Sequence, residues 1–446
     1  MLSIFWILLL IFFFLTILSF TIKSVKRRTK FYPIQDIGVL ILIVLGLYYI
    51  IPILSFVVLG KSANIIFSGR FSGTKSMFGN MIYILLIVNT FALGIYAVYR
   101  TSKQNIKHFF NKKDITHISK PIIFASILIY ILLQLIIVFM NIKFNLYNIE
   151  GYHNSYVAFR NIPKSWAQIF LLIQFIANFS KIIILIGLFQ KWRKNKLLIV
   201  IIFLFSVLNY NVDGARTGLV LNLLILFVLY NFYIKRASSK TLILIGVFFI
   251  ISFSFLGIIR SDSKTIFKHN SIGLNIISII NSGEQLSIFG NSIHLLNEKE
   301  SGNLDIPWAA HINDLISFIP SQLIPWEKQD YATWYVKKYY YAYYKAGGGL
   351  SFGLVSQIIC GFGILGAFIF GLVWGKLSLF INLWVKNSKK WWVFPYYLMI
   401  YLSAYQVVRS SSFSLITGSM LKIIFTIVLI KVVAAILFKT KNKYSQ

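Results

Sequence analysis

The chain has 446 residues, of which 58% are hydrophobic and only 13% charged, with 44 lysines and arginines against 12 aspartates and glutamates. A soluble protein of two or three domains does not carry repeated apolar runs of about 20 residues, each long enough to cross ~30 Å of hydrocarbon. The net charge of +32 excludes little by itself, but the basic residues follow the loops between the runs rather than one basic domain, so nucleic acid is not the partner they indicate.

The runs predict an all-α, polytopic transmembrane bundle of about 11 helices, at roughly 2–22, 37–59, 77–99, 121–140, 166–190, 197–210, 217–234, 241–258, 350–375, 392–408 and 414–438. No basic residue precedes the first run and "KSVKRRTK" follows it, the reverse of a secretory signal peptide; it reads as an uncleaved anchor with its N-terminus outside. On that orientation the segments 23–30, 100–120, 191–196, 235–240, 376–390 and 439–443 are cytoplasmic and hold 25 of the 44 basic residues, while 16 lie outside and three lysines lie within helices. Short loops then obey the positive-inside rule throughout, which predicts a multi-pass membrane protein with a cytoplasmic C-terminus. Ten of the twelve carboxylates fall on the outer side, leaving only Asp36 and Asp114 within. The outer face is where chemistry is expected.

Two outer loops stand out. Residues 259–349 form a 91-residue loop whose apolar stretches, such as "LISFIPSQLIPW", predict short helices at the outer interface, because structureless loops of that length are rare. The loop 141–165 carries Lys143, Glu150, His153, Arg160 and Lys164, and with 259–349 it can roof a cavity among the helices. The whole chain reads as one integral membrane domain.

Candidate residues follow from this topology. Arg216 opens one helix and Arg260 closes the next, while Arg409 ends a third on the same side; a guanidinium presents a planar fork of donors suited to pyrophosphate. Asp213 lies close enough to orient Arg216. The competing reading is that each arginine reaches to lipid headgroups or pairs with Asp213 or Asp262. In "NSGEQLSIFGNSIHLLNEKE", Glu284 and His294 are candidate general bases, with helix capping and loop ion pairing as the structural alternatives. The stretch 331–345, "YATWYVKKYYYAYYK", includes Trp334 and Lys337; its rings suit stacking on sugars and its lysines suit phosphate, although aromatic belts also gather at any membrane interface. Gln174, Asn178 and Lys181 share one helix face that should point into the bundle, either as a polar helix contact or as the lining of a lipid-phosphate path. Glycines from 347 to 375 indicate close helix packing. The six histidines and single cysteine show no metal-ligand spacing, and there is no DxD or HExxH, so neither metal nor other cofactor is expected.

The order of "DGARTGLVL", "FLGIIRSDSK", "GEQLSIFGNS", "FIPSQLIPWEK" and the glycine-rich "GGGLSFGLVSQIICGFGILGAFIFGLVWG" resembles bacterial oligosaccharide repeat-unit polymerases of the Wzy type, over roughly residues 200–410. The resemblance implies transfer of a growing glycan from undecaprenyl pyrophosphate to an incoming lipid-linked repeat unit at the outer face of the plasma membrane of a bacterium, with no metal. It implies pyrophosphate binding by Arg216 and Arg260 and a functional loop glutamate at Glu284. A flippase and a chain-length regulator are the protein partners it suggests. Gln357 stands where that family often has a glutamate. The competing assignments are a flippase, which should show two similar halves and no dominant outer loop, and a ligase, which shares the donor.

Overall fold

The computed structural model describes residues 2–28, 33–59, 77–102, 118–144, 162–191, 195, 197–200, 216–234, 284–313, 316, 319, 323–326, 329–345, 349–409 and 414–439. At 216–221, 284–286, 414–418 and a few isolated positions the description is of backbone alone. Every regular element among these residues is helical. The candidate helix at 241–258, and that at 197–210 beyond its first four residues, lie outside the described residues.

In chain order, α1 is Leu2–Arg28; α2 is one rod made of Ile37–Leu45 and Ile51–Leu59 joined through a π-helical turn, Gly46–Ile50; α3 is Met77–Thr101; α4 is Lys120–Lys143; α5 is Lys164–Gln190; and α6 is Arg216–Tyr233. The long loop contributes α7, Glu284–Glu300, and the short α8, Trp308–Asn313, α9, Tyr331–Tyr339, and α10, Tyr341–Lys345. The C-terminal part holds α11, Leu354–Cys360, α12, Gly363–Asn387, α13, Val393–Arg409, and α14, Ser414–Lys439. Among the described residues, six helices, α1 to α5 and α12, are long and apolar enough to cross a membrane. Their composition leaves the backbone no partner in lipid except itself, which is why each is a continuous helix. α2, α3 and α5 are mostly buried, whereas α1 and α4 present leucine and phenylalanine outward, with Leu135 and Phe139 each 62% exposed.

Small residues set the closest contact. A Cβ on Gly371 of α12 would lie 2.2 Å from the Phe91 carbonyl oxygen, and one on Gly94 of α3 would lie 2.5 Å from the Phe368 oxygen. The two backbones touch, as small-residue interfaces allow in membranes.

The expected helix 350–375 is two elements. Gly361 ends α11, and Gly363, at φ +59°, starts α12 on a new axis. α12 then runs twelve residues past the expected end. Lys376 had marked that boundary, but it is exposed on the helix flank, where its long stem lets the charge leave the apolar layer without breaking the helix.

At one end of the bundle Asp36 caps α2: its Oδ1 accepts from the Val39 amide at 3.1 Å and from Tyr99 Oη at 2.6 Å, and its Oδ2 accepts from Asn382 Nδ2 at 2.7 Å. Burial pushes this carboxyl up to about 6, against the pull of those donors. Tyr397 donates to the Gln35 carbonyl beside it. The starts of α2 and α13 and the ends of α3 and α12 therefore lie at this end, as the alternation of the expected topology requires.

The loop's first described helix, α7, is set into the bundle rather than lying on it. Ile288, Phe289, Ile293 and Leu295 of α7 are fully buried. Gly353, at φ +92°, gives α7 its seat, because a Cβ there would stand 2.6 Å from Ile288 and 2.7 Å from Tyr49 Oη. The shorter α8 to α10 carry the loop's exposed rings, among them Trp308, Tyr341 and Tyr343.

Candidate active site

Contacts along the helices fix which residues share a level. α13 starts beside Gln35 and packs along α2, so its last residue, Arg409, comes level with the π-helical turn of α2, about 18 Å from Asp36 at 1.5 Å per residue. The end of α6 meets the start of α13 where Phe232 and Phe394 pack at 4.9 Å, so the antiparallel pair brings the first residue of α6, Arg216, level with Arg409. At that same turn the Val355 amide donates to Tyr49 Oη at 3.4 Å and Ser292 Oγ lies 2.8 Å from Ser356 Oγ. Two arginine-bearing helix ends and the polar face of α7 thus occupy one layer of the bundle.

α7 is held in the bundle by side chains that a merely apolar helix would not carry. Asn291 Nδ2 donates to the Ser351 carbonyl at 2.8 Å, Asn80 Nδ2 of α3 donates to Asn297 Oδ1 at 2.7 Å, and Lys299 Nζ donates to the Ile359 carbonyl at 3.2 Å. Glu284 is the first residue of α7, ten residues and about 15 Å of helix before His294.

His294 is engaged through both ring nitrogens. Nδ1 lies 3.1 Å from Tyr335 Oη and Nε2 lies 3.7 Å from Glu298 Oε1. Tyr339 meets the ring edge-on at 4.9 Å. Burial among these rings lowers the imidazole pKa, with the Glu298 carboxylate acting in the opposite sense. Nδ1 is within hydrogen-bond reach of the tyrosine, whereas the Glu298 carboxylate stands at ion-pair distance from Nε2. His294 thereby ties α9 to α7.

Around it the loop folds into an aromatic cap. Tyr331 stacks on Phe352 at 5.5 Å and hydrogen-bonds His311. Trp334 is only 5% exposed and packs edge-on against Phe352. Lys338 donates to the carbonyls of Asn303 and Asp305, with its ammonium beside the rings of Trp334 and Tyr339. Lys337 is half-buried on α9.

Of the residues singled out in the sequence, the layer brings together the backbone position of Arg216 and Arg409, with Ser292 of α7 at the same level; Glu284 begins α7 eight residues, about 12 Å of helix, before Ser292. Arg160, Asp213 and Arg260 lie outside the described residues. Gln357 is buried within α11. Sequence reading missed Glu298, Tyr335, Asn291 and Ser292. Only Glu298 left a local signal, the i, i+4 spacing to His294 in "HLLNE"; the others find partners 41 to 64 residues away.

These features define a multi-pass, all-helical membrane protein with one loop helix inserted among its spans. Over residues 1–441 the chain matches the family described as O-antigen polysaccharide polymerase Wzy, and it belongs to that family. Its setting is therefore polysaccharide biosynthesis at a membrane, with lipid-linked oligosaccharide as the substrate class. No curated protein and no solved structure matches the chain.

Proposed function

We propose that this polymerase transfers the growing glycan from undecaprenyl pyrophosphate to the non-reducing end of an incoming lipid-linked repeat unit, at the outer face of the bacterial plasma membrane, by metal-independent inverting displacement. The observation that supports the site is the shared layer: the helix ends that carry Arg216 and Arg409 lie level with the middle of α7, where Ser292 meets Ser356. In the reaction an acceptor hydroxyl attacks the anomeric carbon, a carboxylate takes its proton, and the bond to pyrophosphate breaks with its charge met by guanidinium groups. Glu284 is the preferred base, since Nδ1 of His294 is already hydrogen-bonded to Tyr335 and the Glu298 carboxylate stands 3.7 Å from its Nε2. Arg216, Arg260 and Arg409 receive the leaving pyrophosphate, and Asp213 orients Arg216. Arg160, Lys337 and Trp334 belong to the loops that cover the glycan.

Orientation is tested by reporter fusions, which should place residues 105 and 387 in the cytoplasm and residue 300 outside; a cytoplasmic residue 300 removes the outer-face site. Deleting the gene distinguishes the three assignments that share this substrate. A polymerase lesion leaves lipid-linked single repeat units on the outer leaflet. A flippase lesion traps them on the cytoplasmic leaflet, and a ligase lesion leaves long chains on the carrier lipid.

A further inference from the structure

The helices α5, α6, α13 and α14 contain no aspartate or glutamate, yet they carry Lys181, Arg216, Arg409 and Lys422. α5 packs against the other three. Lys181 is 8% exposed within its span and its Nζ donates to Asn222 Oδ1 of α6 at 2.7 Å. The ammonium of Lys422, on α14, is half-buried and lies 5.8 Å from the centre of the Phe175 ring of α5. Among the described residues Lys422 Nζ meets no carboxylate and no hydrogen-bond acceptor.

The level of Lys422 follows from the same kind of register. α5 and α6 run parallel, with Lys181 meeting Asn222 and Phe189 meeting Tyr233, so Arg216 lies within about a turn of Phe175. Lys422 therefore faces the layer of Arg216 and Arg409. It reaches that layer from the outer side. Phe438 of α14 packs on Phe124, and Ile123 beside it abuts Gly187, so Phe438 is level with the residues near 186 of α5. From that level Lys422 is sixteen residues away, about 24 Å, and Phe175 eleven, about 16 Å. The Lys422 stem thus runs inward to its aromatic neighbour, the opposite of a lysine extending to the nearer headgroups. A half-buried ammonium with no carboxylate or acceptor among the described residues suits an anion supplied by a ligand.

We infer that Lys422 and Lys181 extend the arginine layer into one phosphate-binding wall, whose anion is the diphosphate of the lipid-linked substrate. Lys422 meets it beside Arg216 and Arg409, and Lys181 stands deeper along α5. The assignment rests on the pyrophosphate reading of the arginines.

The test uses the full-length protein in nanodiscs of purely zwitterionic or mixed anionic lipid, with a polyprenyl pyrophosphate as probe. Lys422→Met should weaken probe binding about tenfold in both lipid mixtures, the loss of one charge-assisted hydrogen bond. Lys422→Arg should retain binding, which also shows that the position tolerates change, and Lys181→Met should weaken it similarly. If Lys422→Met binds the probe like wild type and loses only the thermal stabilisation given by anionic lipid, the ammonium serves a headgroup and the inference is overturned. Loss of binding in Arg216→Ala under those conditions would leave the pyrophosphate reading intact. A wild-type protein that ignores the probe overturns that reading and this inference together.

Discussion

Two levels of the bundle treat charge in opposite ways. At the end marked by Asp36, the protein supplies the partners itself: a backbone amide, a tyrosine hydroxyl and an asparagine amide surround one carboxylate. One layer up, Arg216, Arg409 and Lys422 sit on helices without a single carboxylate. A buried charge satisfied by its own chain fixes architecture, and removing it costs stability. A set of like charges on helices without carboxylates is what the proposed pyrophosphate site requires, with the substrate supplying the counter-charge.

Four substitutions break or sharpen that contrast. The largest effect is expected for Glu284→Gln, which keeps shape and hydrogen bonding but cannot accept a proton: polymer formation should fall by ~10²-fold or more, the usual range for loss of a general base. A chain-length gel of surface glycan, at matched membrane abundance, measures it. Arg216→Lys should fail nearly as badly as Arg216→Ala, since an ammonium does not reproduce the planar fork, and full-length polymer from the lysine variant would favour headgroup contact. Asp36→Ala should do the reverse. It leaves Tyr99 and Asn382 as buried donors without their acceptor, so thermal stability should fall by about 1–3 kcal/mol while turnover per folded molecule stays unchanged.

The smallest effect concerns His294. Its folded-state pKa is lowered, so the unfolded chain binds the extra proton first, and the stability held above the ordinary histidine value of 6.5 is lost as pH falls through the folded-state pKa. Melting curves across that window should show a shallow decline on acidification that disappears in His294→Gln. Equal slopes in both proteins would show that the α7–α9 tie does not titrate.

The spans were legible because lipid imposes a simple rule on backbone polar groups, and runs such as 77–99 and 166–190 show it in composition alone. The break between α11 and α12 was not, since both sides are apolar and only the backbone angle at Gly363 turns the chain. Nor was the insertion of α7. Its buried face includes Asn291 and Ser292, and polarity in a loop reads as exposure until distant acceptors such as the Ser351 carbonyl are in place. The arginines at helix ends could be read individually. That Arg216 and Arg409 share a layer depends on how Phe232 meets Phe394, a contact between residues 162 positions apart.

The central claim is that this chain alone joins lipid-linked repeat units, with Glu284 as the base. Purified protein should be given lipid-linked repeat units as its only substrate, with a chelator present. The account predicts a ladder of lipid-linked oligomers from wild type and none from Glu284→Gln. An equal ladder from the variant would remove Glu284 from the mechanism, and no ladder from folded wild-type protein would contradict the polymerase reaction proposed here.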